Sequence, residues 1–176
     1  MDRVCWPLSV VCWQIKEKMF RKLTREKQLL SNEECLELLT NEKRGVLSVI
    51  GNEGYPYALP IDFYYNKDDN KIYFHSGKRG HKIDAIKKND KVSFCIYDEG
   101  FHKDGHWSLN IRSVIVFGRI SIIEEWPHDI MIDFCKKFTS DIDYIENEIK
   151  HLASSTIMLR LDIEHICGKI VNESWI

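Results

Sequence analysis

The sequence predicts a mainly β protein, an antiparallel barrel with small flanking helices. Three observations predict it. Short runs rich in Val, Ile, Phe and Tyr recur from about residue 45 to residue 97, each closed by turn residues such as Asn52-Glu53-Gly54 or Lys67-Asp68-Asp69-Asn70. A long strand pattern over 108–124, containing VIVFGRISII, carries Gly118 in its middle, as at a barrel corner. The helical patterns are few and short, so strands and helices do not alternate as parallel βαβ units require.

Each element has its own warrant. Ser31-Asn32-Glu33-Glu34 is a capping box, and Cys35, Leu36, Leu38 and Leu39 after it give an apolar face, so a helix is expected over 32–40. Strands are expected over 45–51, 55–65 and 71–75, forming two successive hairpins in a meander. In the second of them Tyr57, Leu59, Ile61 and Phe63 alternate with Ala58, Pro60 and Asp62. Pro60 cannot donate to a ladder and points to an edge, a bulge or a place where something other than a strand meets the backbone. HKIDAIKKN, over 81–89, reads as a short helix with Ile83 and Ile86 inward. A strand over 91–97, a polar loop over 98–105, the long strand over 108–124, helices over 126–138 and 142–152, and a strand over 156–171 broken at Gly168 complete the chain.

With 176 residues, 44% hydrophobic and 30% charged, the chain fits one globular domain and excludes disordered, collagenous and multi-span membrane classes. The net charge of −2 supplies no general attraction to nucleic acid or anionic lipid, so neither partner is expected and any basic site must be local. The six cysteines are scattered singly with no CxxC pair, which reads as reduced, mostly buried thiols of a cytoplasmic protein with no structural zinc. Residues 1–18 stand apart. VCWPLSVVCW is too short to span a bilayer and lacks a cleavage site; from Met19 the composition turns polar and charged, so Met19 reads as the natural start of a single domain over 19–176. The other reading is an extension that packs its two Trp residues on the domain.

The stretch most suited to chemistry is FHSGKRGHK over 74–82, between a strand and a helix. Two glycines let the backbone curl, basic and imidazole side chains converge, and the amides of the next helix point outward with the positive end of its dipole, which suits a phosphate. It is neither a Walker A loop nor a dinucleotide GxGxxG turn. Taken alone, such a segment is more often a solvated basic turn. His102 and His106 share a polar loop without a third ligand, so no metal is expected. Asp141, Asp143, Glu146 and Glu148 read as the start and outer face of a helix.

Three strings, GYPYALPIDFYY, KIYFHSGKRGHKIDAIKKNDKVSFCI and RSVIVFGRISII, stand in this order. Together they resemble the pyridoxamine 5′-phosphate oxidase-like, FMN-binding split-barrel proteins, and within them the nitroimidazole-resistance branch. The resemblance implies an antiparallel split barrel that forms a homodimer, with FMN at the subunit interface. It implies that Leu59, Pro60, Ile61 and Asp62 line the isoalloxazine, that His75 and Ser76 sit by the ribityl-phosphate, that His81 and Lys82 hold the phosphate, and that Arg112 and Ser113 reach the cofactor from the other subunit. The true oxidases carry Arg at the position of Leu59, Arg-Lys at His81-Lys82, and Trp and Arg residues near the C-terminus. Here the chain ends HICGKIVNESWI, with no arginine after Arg160. The activity implied is therefore an FMN-dependent oxidoreductase passing electrons to a small planar acceptor such as a nitroaromatic, with His75 the candidate catalytic residue as proton donor or electrostatic partner. His75 as a purely structural or phosphate-side histidine stays open. So does a non-catalytic protein binding flavin, haem or deazaflavin.

Overall fold

The computed structural model describes residues 20–124, 127–152 and 154–171. The expectations for residues 1–18 and for Trp126 lie outside them. Among the described residues the chain forms, in order, α1 (Asn32–Asn41), β1 (Arg44–Ile50), β2 (Pro56–Asp62), β3 (Tyr64–Asn66), β4 (Lys71–Gly77), α2 (His81–Lys88), β5 (Lys91–Tyr97), β6 (Phe101–His102), β7 (Leu109–Ile123), α3 (His128–Lys136), α4 (Ile142–Leu152) and β8 (Thr156–Val171). The strands run antiparallel in the order β2-β1-β5-β7-β8-β4-β3, with β6 paired beside β7. This is a mainly antiparallel, curled split-barrel sheet with four helices.

The capping box at the start of α1 forms as the sequence requires. Ser31 Oγ accepts from the Glu34 N–H at 3.2 Å, and a Glu34 carboxylate oxygen accepts from the Ser31 N–H at 2.7 Å. Asp141 takes the Tyr144 N–H at 3.0 Å, so it caps the start of α4. Gly118 sits at a bulge in the β7–β8 ladder, where a Cβ would stand 2.2 Å from the Asp162 carbonyl oxygen, so the bend needs glycine.

Three expectations change. The run over 55–65 is two strands, parted at the fully buried Phe63. The two hairpins are not a meander: β1–β2 and β3–β4 close opposite ends of the strand order, and Phe63 joins one edge to the other. Gly168 does not break β8. Its missing side chain leaves room for Cys35 of α1, whose Sγ would lie 2.3 Å from a Cβ there. Of the described cysteines only Cys35 is buried, while Cys95, Cys135 and Cys167 are half-buried; all are free.

Inside the curl, Phe63, Phe74 and Phe94 meet edge to face, with centroids 4.9 Å and 5.1 Å apart, and the leucines of α1 close one side. A second, smaller core lies outside the barrel wall, where α3 and α4 pack Met131, Ile145 and Ile149 against Tyr73 and Met158. Along β4 this sorts the side chains: Ile72, Phe74 and Ser76 turn in, while Tyr73 and His75 turn out, beneath the helix pair.

Candidate functional site

Pro60 lies on β2, an edge strand paired on one side only, opposite Val46 of β1. An edge is where a missing N–H costs no ladder bond, and Pro60 is exposed there. Leu59 and Asp62 are half-buried, and Ile61 is buried. Asp62 ends the strand in an ion pair with Arg44, Nε to Oδ1 at 2.6 Å.

The curl brings β2 alongside β4, so Asp62 and Lys82 both act on His75. His75 is half-buried, and its ring meets Phe134 of α3 at 5.3 Å and 90°. Its Nδ1 is buried with no hydrogen-bond partner. Burial lowers the imidazole's pKa, Lys82 adds to the lowering and Asp62 opposes it. The ring is therefore neutral at pH 7, able to give a proton from one nitrogen and accept at the other. Ser76 is buried, its hydroxyl donating to the Gly77 carbonyl at 3.2 Å.

The start of α2 is a cradle. Gly80 takes the N-cap position at φ +123°, which needs glycine, and no side chain caps the first turn. A Cβ at Gly77 or Gly80 would meet nothing within 4 Å, so the space before the helix is open. Lys82 is half-buried, forms no salt bridge among the described residues, and has its pKa lowered by burial. Uncapped amides and an ammonium without a salt bridge stand together at the start of α2, and a phosphate monoester fits such a place.

His81 is placed differently from Lys82. Its exposed ring stacks on Tyr57 at 4.2 Å, and its Nε2 accepts from the Asn52 N–H at 3.3 Å, so that nitrogen faces the 52–54 turn. Arg112 and Ser113 are not brought to this corner within one chain. They lie on β7, Ser113 opposite Tyr97 and Lys169, while Arg112 is held by Asp98 (Nε to Oδ2, 2.8 Å) and by Glu37 at 3.5 Å. His102 meets the Ser108 carbonyl through Nδ1 at 3.2 Å, and among the described residues no group of three His, Cys, Asp or Glu is placed to hold a metal. No helix among them is long and apolar enough to cross a membrane.

Sequence reasoning missed Phe134 over His75 and the Arg44–Asp62 pair, since both depend on how distant elements dock. It also missed Lys137, just beyond α3. Lys137 Nζ stands 4.4 Å over the Phe63 ring and donates to the Glu42 carbonyl at 2.5 Å. Burial lowers its pKa to about 8.

The pyridoxamine 5′-phosphate oxidase family model matches residues 31–170, from the cap of α1 nearly to the end of β8. The chain belongs to this family. No curated protein sequence matches it. Among solved structures, similarity extends to a candidate 5-nitroimidazole antibiotic resistance protein from Bacteroides thetaiotaomicron, 18% identical, TM-score 0.66, covering 81% of this chain and 86% of that one. It extends to a conserved protein from Mycobacterium tuberculosis, 17% identical, TM-score 0.70, with coverages of 84% and 89%. A FAD-binding protein from Mesorhizobium loti is 22% identical, TM-score 0.60, with coverages of 82% and 98%. At these identities the likeness is one of fold, and the family's split barrel is the fold seen here.

Proposed function

We propose that this protein is an FMN-dependent oxidoreductase of the cytoplasm, a homodimer with flavin at the subunit interface, that reduces a small planar acceptor such as a nitroaromatic. The observation that carries the reading is the cradle at the start of α2, where open glycines, uncapped amides and unpaired Lys82 stand beside an edge strand and His75. Family membership supports a flavin, and so do the names of two structural relatives, one FAD-binding and one a candidate nitroimidazole resistance protein.

When bound, the flavin would supply reversible two-electron chemistry between an electron donor and the acceptor. Reduction of a nitro to a nitroso group takes two electrons and two protons and releases water. In this reading Lys82 and the first amides of α2 hold the phosphate, and His81 flanks them. The open edge of β2 from Leu59 to Asp62 offers backbone N–H and C=O groups to the polar side of the ring. Arg112 and Ser113 approach the cofactor of the other subunit. His75, neutral and shielded by Phe134, gives a proton to the acceptor, while the Arg44–Asp62 pair fixes the charge beside it.

The visible spectrum of the purified protein tests this, before and after adding FMN and desalting. Retained flavin bands are expected in wild type, weakened in Lys82→Ala. A Soret band, or no flavin uptake, overturns the reading. Retained FMN without turnover of any acceptor leaves a binding protein. For His75→Ala, acceptor reduction is expected to fall about 100-fold with FMN still bound. Full turnover in that variant removes His75 from the chemistry.

A further inference from the structure

We propose that His81 is a positioning residue and not a phosphate ligand: its neutral ring ties the first turn of α2 to the turn between β1 and β2, and this tie sets the affinity for the flavin phosphate. The role rests on the flavin reading above and adds a regulation of that same site.

The ring is held on two sides. It stacks on Tyr57 of β2, with centroids 4.2 Å apart and 22° between the planes, and its Nε2 accepts from the Asn52 N–H at 3.3 Å. A nitrogen that accepts a hydrogen bond needs its lone pair, so the ring's one proton sits on Nδ1. Gly51 makes the room. A Cβ there would stand 3.0 Å from His81 Nε2 and 3.1 Å from both the Tyr55 carbonyl oxygen and the Tyr57 Cβ, so the ring comes this close because residue 51 has no side chain. The Gly51 N–H donates to the Tyr55 carbonyl at 2.7 Å, which fixes the turn that offers the Asn52 N–H.

The glycines before the helix leave open space on their side, so His81, the first residue of α2, secures the helix start from the β2 side. β2 also carries Leu59 to Asp62, proposed above to meet the flavin ring. One imidazole thus joins that strand to the turn whose amides and Lys82 hold the phosphate. A second proton on the ring takes the Nε2 lone pair and sets N–H against the Asn52 N–H. The charged groups around the ring are Lys82 beside it in α2, Glu53 in the turn, and Asp84, Lys87 and Lys88, which line a hollow with His81 and Asn52. Acidification has opposite consequences for the two roles. A charged His81 acting as a ligand attracts the phosphate and raises affinity, whereas a charged His81 acting as a tie lets go and lowers it.

FMN affinity, read by quenching of flavin fluorescence at about pH 7.5 and about pH 5.5, tests this in wild type, His81→Ala, His81→Gln and Gly51→Ala. His81→Ala is expected to bind FMN about 3- to 10-fold more weakly at the higher pH, the worth of one hydrogen bond. His81→Gln, whose amide oxygen can accept the Asn52 N–H and does not titrate, is expected to restore most of that loss. Gly51→Ala keeps the imidazole but crowds it, and should weaken FMN in the same direction as His81→Ala. On acidification wild type should lose several-fold more affinity than His81→Gln, which shares the phosphate's own protonation. A wild type that gains affinity relative to His81→Gln, or a glutamine variant as weak as the alanine one, overturns the tie. Flavin-free protein separates the two readings. Nitrogen NMR of the His81 ring should find Nδ1 protonated and Nε2 bare, and a proton on Nε2 overturns the tie whether or not FMN binds. If FMN is not taken up, the flavin reading falls alone, and the same variants are compared by the rise in Tm with inorganic phosphate. That rise is expected in wild type and His81→Gln and smaller in His81→Ala, and equal rises overturn the tie.

Discussion

Lys82 and Arg112 are both half-buried cations on the outer surface of the barrel, and the fold treats them in opposite ways. Arg112 is met by two carboxylates, and Asp98 also takes its backbone N–H at 2.9 Å. Arg119, further along β7, is likewise paired with Asp90 and Glu164. Lys82 forms no salt bridge among the described residues and lies near His75, whose own Nδ1 lacks a partner. A paired cation is a brace. A desolvated cation without a counter-charge costs stability unless a ligand supplies the charge, so the contrast favours the start of α2 as the phosphate site proposed above.

The sharpest way to break the contrast is to remove each cation in turn. Lys82→Ala should weaken FMN binding about 10- to 100-fold, the worth of one charge-assisted contact at roughly 1.5–3 kcal/mol, read by quenching of flavin fluorescence. The flavin-free variant should unfold no earlier than wild type, and added inorganic phosphate should raise the Tm of wild type only. Equal gains from phosphate in both proteins would put the anion elsewhere. Arg112→Ala should do the reverse, lowering stability by about 1–3 kcal/mol in urea, because it leaves Asp98 largely buried without its partner. A loss of FMN affinity in the same variant would show that Arg112 also serves the neighbouring subunit's site, as the family resemblance implies.

A smaller effect should come from Lys137, which lies between the two extremes, bonded to a carbonyl and an aromatic face but to no carboxylate. Burial lowers its pKa to about 8, below the value of about 10.4 for a free lysine. Between those values the unfolded chain binds more protons than the folded one, so this residue's contribution to stability rises with pH across that window. Lys137→Met should therefore show a shallower rise than wild type between pH 8 and pH 10 in urea unfolding. Parallel curves would mean that the ammonium is better solvated than its surroundings imply.

How much of this was legible in the sequence depended on how local the cause was. The helix after Ser31 is written in four residues, and β5 runs over Lys91–Tyr97 as its alternation predicts. The open, uncapped start of α2, proposed above to hold a phosphate, was readable too, because glycines, basic side chains and a helix start are neighbours in sequence. The parting at Phe63 was not. Tyr57, Leu59, Ile61, Phe63 and Tyr65 keep a period of two straight through it, so nothing local records that the strand leaves one partner for another. Gly168 was misread for the same reason. Its glycine answers to Cys35, far away in sequence, rather than to a turn. The cover of Phe134 over His75 and the clamp of Lys137 on Phe63 likewise arise only when α3 docks.

The joint at Phe63 also bears on the order in which a chain emerging from the ribosome can assemble. Among the described residues the β3–β4 hairpin is hydrogen-bonded to the rest of the sheet only through β8, the last of the described strands to be made. Until residues 156–171 are available, the two halves of the cradle's surroundings, β2 on one side and His75 on the other, hang on either side of a single residue. Such late, long-range closure is slow and leaves strand edges bare while it waits. A cofactor that bridges α2 and the edge of β2 would hold that seam shut as soon as it forms, so flavin supply during synthesis should set the yield of folded protein.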